Sequence, residues 1–461
     1  MKEILLNPLI LPLILGIGLI YLAIAFNYLG TYLKYTILYE KCCLILFLVT
    51  ISGATGATIE PFSKLHPRVL SNIFVTPPTI IAQIGLYGIA ILLLVPLLRY
   101  TLKDFIAVFG ILITRNPFLY LFFLLILLSA SWSNNVILTL RASFVILETA
   151  IFAIYAGKRF TWEELYPILL WFATILVFLA FFYGFLKPSV GVSEGAWVGI
   201  NGHKNQFCFL MALSTNLWFI QSLYNPKQRI FCILMILMSL FALNEGGSGA
   251  GKVTVLCLGA LWFYLGFIKT LPVQWAVTSV ILFMIACIFL TILVTENLEF
   301  IVVDTLNKDL TLTGRTDFWP LIIDKINERP ILGYGIDGFW QPWEGANNPA
   351  TDVIVQKTQF SPPHSHNGFM DLAVDLGYLG LFFFVAAFIA SIIKAVIYLS
   401  RAAMPYGGLP ILLLTYTLLT NLTETGLLGV TSILFWYVAL ATRVSIDISY
   451  QNNSRSPYQT T

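Results

Sequence analysis

Three short stretches hold the side chains best suited to chemistry. Pro362-Pro363-His364-Ser365-His366-Asn367-Gly368 stands immediately before an apolar run that carries Gly377 and Gly380. Histidine is the side chain best placed to accept and return a proton near neutral pH. A loop histidine hydrogen-bonded at a helix start would carry the same signature without chemistry. The His-x-His pair is also half of a zinc set, but no neighbouring Cys or Glu in the sequence supplies further ligands, so no metal is expected. Gly314-Arg315-Thr316-Asp317-Phe318-Trp319 opens a second candidate. The planar guanidinium of Arg315 matches phosphate oxygens two at a time, and helix amino termini favour anions; the alternative is an interfacial arginine among lipid headgroups. The third is Asn201-Gly202-His203-Lys204-Asn205 at the mouth of an apolar run. Lys204 is either an anion contact or a lysine snorkelling at a helix end.

Other patterns are decoys or weaker. Gly246-Gly247-Ser248-Gly249-Ala250-Gly251-Lys252-Val253 fits a phosphate-loop spacing, but Val253 replaces the Ser or Thr that would hold magnesium. It follows one apolar span and opens another, so a hairpin of small residues is expected, with Lys252 available to an anion. Arg141, Glu148 and Glu424 fall within apolar runs, where charge is costly and defaults to function. No Asp-x-Asp occurs, which argues against a metal-dependent transferase using nucleotide sugars.

These residues are carried by a chain of 461 residues, 58% hydrophobic and only 11% charged, with mean hydropathy +0.85. A soluble chain is about 25% charged, so an all-α, polytopic membrane bundle is expected. A net charge of +3 leaves no basic face for nucleic acid. At about 20 apolar residues per crossing, candidate spans lie near 8–28, 38–57, 79–98, 116–131, 135–156, 166–186, 205–223, 229–243, 252–268, 273–295, 372–398, 409–421 and 428–445, about 12–13 in all. The first is too long for a cleaved signal peptide and is followed by further spans. The six cysteines sit in or beside apolar runs, where they are expected to pack between helices.

Arg99, Lys103 and Arg115, then Lys158 and Arg159, then Lys227 and Arg229 mark cytoplasmic loops. Segments 187–204, 244–252 and 296–371 then face outward, and all four histidines fall in outer segments. The chain divides into an amino-terminal bundle (1–295), a large outer loop (296–371), carboxyl-terminal spans (372–446) and a cytoplasmic tail (447–461). Within the loop, Phe318, Ile322 and Ile326 repeat at helical spacing before Pro330. This predicts an amphipathic helix over 317–328, lying on the membrane or on the bundle.

Taken together, these residues resemble the O-antigen ligase and polymerase superfamily of bacterial envelope polysaccharide proteins. The pattern is His-[Asn/Ser/Gln]-x9-Gly-x-x-[Gly/Thr/Tyr], met by His366-Asn367 and Gly377-Tyr378-Leu379-Gly380. Arg329-Pro330-Ile331-Leu332-Gly333-Tyr334-Gly335 is similar to the family's RPxxGxG segment, and Gly314-Arg315 to its Gly-Arg entry. Ser129-Ala130-Ser131-Trp132-Ser133 and Gly202-His203-Lys204-Asn205 are similar to segments of its exopolysaccharide-polymerase branch.

The resemblance implies a C-type glycosyltransferase in the bacterial inner membrane, with its site on the periplasmic side and one large periplasmic loop over it. It implies an undecaprenyl-pyrophosphate-linked glycan as donor, a glycan or lipid as acceptor, no cofactor and no metal. His366 is then catalytic, and Arg315 and Lys204 bind the donor pyrophosphate. Asn367, His203 and His364 orient the partners. Direct displacement would invert the anomeric centre. Lys204 stands where many ligases carry a second cation better suited to phosphate, which tilts the reading towards polymerisation over ligation to a lipid core or protein. A small-solute transporter is the alternative from another class, but the symmetric broken-helix repeat it would favour is not found.

Overall fold

In the computed structural model, residues 33–54, 110, 113–306, 315–341, 348–354, 361–428 and 431–453 are described. The candidate spans near 8–28 and 79–98, together with His66, lie outside the described residues. The fold is an all-α polytopic membrane bundle. Its described helices are α1 (Leu33–Val49), α2 (Pro117–Leu128), α3 (Val136–Arg159), α4 (Trp162–Phe181), α5 (Lys204–Tyr224), α6 (Arg229–Gly246), α7 (Gly249–Ile268) and α8 (Val273–Leu306). After these come α9 (Arg315–Glu328), α10 (Gly368–Arg401), α11 (Leu409–Thr423) and α12 (Ser432–Asn453). Strand structure among the described residues is one two-residue antiparallel pairing, Val192–Ser193 with Ala196–Trp197.

Eight described helices are long and apolar enough to cross a membrane, while α2 and α11 are shorter. Caps set their ends as the residue types require. Asn135 accepts from the Leu138 N–H to start α3, and Thr161 and Glu164 form a capping box at α4. The 34 residues of α8 rise about 50 Å at 1.5 Å per residue, well beyond a hydrocarbon core of about 30 Å. The outer loop expected from 296 therefore starts as a continuation of that helix.

α11 is the buried axis of the bundle. Its residues from Leu409 to Thr417 are all buried, and it packs against α7, α8, α10 and α12. Short and enclosed, it ends within the protein, and Glu424 follows as its carboxyl cap. Glu424 was expected inside a span; it stands just past the end of one.

α10 runs from Gly368 to Arg401 but breaks at Gly377, whose φ of 65° is outside helical space. A break strands backbone groups that a membrane cannot hydrate. Here the Pro330–Gly335 segment takes them. Tyr334 and Gly335 N–H donate to the Val374 and Asp375 carbonyls at 2.9 and 2.8 Å, while Tyr378 and Leu379 N–H donate to the Pro330 and Ile331 carbonyls at 2.7 and 3.2 Å. A Cβ on Gly377 would lie 2.2 Å from the Ile331 oxygen, and one on Gly333 2.4 Å from the Val374 oxygen. Two motifs separated in sequence are thus the two halves of one hydrogen-bonded joint.

The Ser129–Ser133 stretch clamps the same segment from the other side. Trp132 Nε1 donates to the Leu332 carbonyl at 3.0 Å, Thr139 Oγ1 to that of Ile336 at 2.8 Å, and Ile336 N–H to Ser129 Oγ at 3.2 Å. Over this joint lies α9, with Phe318, Ile322 and Ile326 buried against Tyr334, Phe339 and Trp340. The amphipathic helix therefore rests on the bundle.

The glycine-rich decoy is the hairpin its composition predicts. Gly247, at φ 67°, ends α6, and Ser248 caps α7 by accepting from the Gly251 N–H. Cβ atoms on Gly246 and Gly251 would sit 2.4 and 2.7 Å from atoms of the Cys208 side chain, so close helix approach explains the glycines. Lys252 Nζ donates to Asn244 Oδ1 at 3.4 Å. Cys43, Cys208, Cys232, Cys257 and Cys287 are buried thiols, and Cys42 is exposed. Glu148 lies on α3; the side chain of Arg141 lies outside the described residues.

Candidate functional site

The loop before α10 ends in residues whose conformations lock one another. Asn367 is the amino cap of α10, its Oδ1 accepting from Phe369 and Met370 N–H at 3.0 and 3.1 Å. Its Nδ2 donates to the Leu422 carbonyl at 3.3 Å, joining the loop to the end of α11. His366 adopts a left-handed backbone with φ 54°, a conformation that costs a non-glycine residue about 1–3 kcal/mol. What holds it is local. The His366 N–H donates to His364 Nδ1 at 3.0 Å, and the Asn367 N–H donates to Ser365 Oγ at 3.1 Å. As an acceptor, that Nδ1 of His364 carries no proton.

Under the loop lies Asp371, fully buried. Its Oδ1 accepts from Trp340 Nε1 at 2.9 Å and the Ser365 N–H at 3.1 Å, and Oδ2 accepts from Thr425 Oγ1. Trp319 Nε1 of α9 donates to the Ser365 carbonyl at 3.0 Å. The large loop is therefore fastened to the histidine turn by two indole N–H groups, one reaching it through Asp371. Gly368 is required where it stands: a Cβ there would lie 2.4 Å from Asn421 Oδ1.

His366 faces Glu424. The imidazole Nδ1 lies 3.6 Å from Glu424 Oε1, and His203 Nδ1 lies 3.5 Å from the same oxygen. These are ion-pair distances, longer than hydrogen bonds. Asn205 Nδ2 makes the direct hydrogen bond to that oxygen at 2.8 Å. The His203 and His366 ring centroids are 6.0 Å apart, and those of His364 and His366 3.9 Å. Glu424 is 2% exposed, whereas the side chains of His203 and His366 keep 39% and 19% of their surface. Burial pushes the Glu424 carboxyl up, but the His366 and His203 imidazoles outweigh burial and hold it below the usual carboxylate range.

The tertiary structure thus unites His203 with His364, His366 and Asn367, which the sequence left 161 to 164 residues apart. Lys204 is the first residue of α5, beside His203, and among the described residues its ammonium has no hydrogen-bond or ion-pair partner. Arg315 opens α9; its side chain lies outside the described residues. The expectation that nothing near the His-x-His pair could complete a ligand set does not hold in space, because His203, His366 and Glu424 bring one donor each to within 4.8 Å of one another.

Glu424, Asn205 and Asp371 were not among the expected site residues. Signals existed for two. Glu424 is a carboxylate at an apolar run's end, and Asn205 lies within the Gly202–Asn205 motif. Asp371 gives only a first-turn acid one helical turn beyond a capping Asn.

Comparison with known proteins bears on the same residues. Residues 230–385 match the family model described as O-antigen ligase. Over these residues, about a third of its length, the chain is similar to the O-antigen ligase family. The matched span includes Arg315, His364, His366, Asn367 and both halves of the Gly377 joint, and it leaves out His203, Lys204 and Glu424. A Rickettsia conorii protein named as a candidate polysaccharide ligase is 25% identical over 178 residues, 39% of this chain and 42% of that relative. The match therefore spans less than half of the relative's length.

Proposed function

We propose that this protein is a periplasm-facing glycosyltransferase of the bacterial inner membrane. It transfers or polymerises glycan from an undecaprenyl-pyrophosphate-linked donor during surface or exopolysaccharide synthesis. The observation that carries the reading is His366, held in a strained turn over the buried Glu424 carboxylate. Such a pair orients an imidazole and stabilises the imidazolium formed when it takes a proton.

In this reaction His366 removes the proton from the acceptor hydroxyl as its oxygen attacks the anomeric carbon. The bond from that carbon to the pyrophosphate oxygen breaks, and the configuration inverts. The electron pair leaves with the lipid pyrophosphate, where the negative charge is met by Lys204 and Arg315 through charge-assisted hydrogen bonds. Asn205 and Glu424 position His366 and His203, while His364, Ser365 and Asn367 hold the turn. The scheme asks for no metal. Polymerase and ligase use this site alike and differ in acceptor; Lys204, a point charge in place of a guanidinium fork, favours polymerisation.

The test is consumption of a lipid-linked glycan by the purified protein in EDTA. Turnover is expected for the native protein and its loss, about a hundredfold or more, for His366→Ala. Full activity of His366→Ala, or strict dependence on added divalent metal, overturns the reading. Passage of solute across liposomes with the lipid-linked glycan untouched gives the case to a transporter.

A further inference from the structure

The three side chains around Glu424 have a second capability that proton transfer does not use. A metal with two nitrogen and one oxygen ligands at about 2.0–2.1 Å in tetrahedral array sets those donors about 3.4 Å apart. The observed separations from Glu424 Oε1 are 3.5 Å to His203 Nδ1 and 3.6 Å to His366 Nδ1, and all three donors lie within 4.8 Å of one another. The set is already gathered. His366 Nδ1 and Glu424 Oε2 are buried without a hydrogen-bond partner among the described residues. The carboxylate carrying that oxygen is 2% exposed, a costly state for a polar atom that nothing satisfies. His364 is not a fourth ligand through Nδ1, because that atom accepts from the His366 N–H. Three protein ligands leave the fourth tetrahedral position without a protein donor.

We propose that His203, His366 and Glu424 form a binding site for one divalent transition metal of the zinc class, and that an ion there blocks glycan transfer. Two imidazoles favour zinc-class ions over magnesium or calcium, which prefer all-oxygen sites. The ion takes the Nδ1 of His366 and the carboxylate that orients it, leaving neither to assist proton removal. The blocking part rests on the reading of His366 as the base, whereas the binding site stands on geometry alone. Transfer proceeds in the empty site, and the metal acts as an inhibitor.

The experiment uses the full chain, purified in detergent and stripped with chelator. Co²⁺ is the probe, read by the visible absorption of a low-coordinate ion, with Zn²⁺ competing for the same site. One Co²⁺ per chain is expected. His203→Gln and Glu424→Gln, which keep side-chain size and hydrogen bonding, should each weaken binding about tenfold or more. Zn²⁺ at saturation should stop consumption of lipid-linked glycan, and EDTA should restore it. Absence of saturable binding, or binding unchanged in both variants, overturns the site; turnover by the metal-free protein would then leave the transfer reading standing. A filled site with undiminished transfer overturns the blocking role. A filled site in a protein that never consumes donor supports the metal site and counts against the transfer reading.

Discussion

Glu424→Gln removes one charge from the site and almost nothing else. The amide keeps the shape of the carboxyl and an oxygen that can accept from Asn205 Nδ2, now bonded at 2.8 Å, so the turn and the end of α11 should stay in place. In the proposed mechanism, what disappears is the attraction between the carboxylate and the imidazolium formed as His366 takes the acceptor's proton. With 3.6 Å between Nδ1 and Oε1 and an effective dielectric of about 20, Coulomb's law gives about 4–5 kcal/mol. His203 shares the same oxygen at 3.5 Å and Asn205 polarises it, so roughly 3–4 kcal/mol should reach the transition state. At 1.36 kcal/mol per tenfold change, that is roughly 10²–10³ in kcat. In that mechanism the carboxylate acts on a charge that develops during reaction, so KM for the lipid-linked donor should move by less than about threefold. The assay is steady-state consumption of that donor by purified protein, with folding checked by thermal unfolding at neutral pH. A well-folded Glu424→Gln protein with kcat within threefold of the native value would refute the pairing of His366 with Glu424 as the working base.

Three further outcomes follow from the same geometry. Gly377→Ala should destabilise the protein by more than about 1 kcal/mol, since φ is positive and the new Cβ meets the Ile331 carbonyl at 2.2 Å; Gly266→Ala, with open space around it, should not. Thermal inactivation of the two variants in one detergent separates them. Because the Glu424 carboxyl is held below its ordinary value, its contribution to stability is full above about pH 4.3 and is lost as pH falls through the lowered value. The gap in unfolding midpoint between the native protein and Glu424→Gln should therefore close as the pH falls into strong acid. For orientation, a membrane-impermeant thiol reagent should label Ser189→Cys and spare Gln228→Cys in a Cys42→Ala background, both positions being exposed. The reverse pattern would put the histidine turn on the cytoplasmic side.

Much of this molecule is legible in its residues alone, because a membrane constrains sequence more severely than water does. With no water to satisfy backbone groups, apolar runs must be helices. The runs near 135–156, 166–186, 205–223 and 252–268 accordingly correspond to α3, α4, α5 and α7. Phe318, Ile322 and Ile326 announce α9 by spacing, and Asn367 announces the start of α10 by its capping chemistry. The histidine turn stands out because polar residues are scarce in such a chain.

Three-dimensional packing decided the rest. Periodicity carries no sign of a helix that breaks at Gly377 and is mended by Pro330–Gly335, since the backbone groups that satisfy each other are 40 to 48 residues apart in sequence. Nor could spacing place Glu424 under His366. The carboxylate follows α11, the histidine precedes α10, and His203 and Asn205 arrive from the start of α5, so only the burial of α11 among its neighbours brings the four together. Local sequence determines which residues are helical and which are polar. The distance between two polar residues on different helices depends on how those helices pack, and the fitted surfaces that set the packing are spread across the whole bundle.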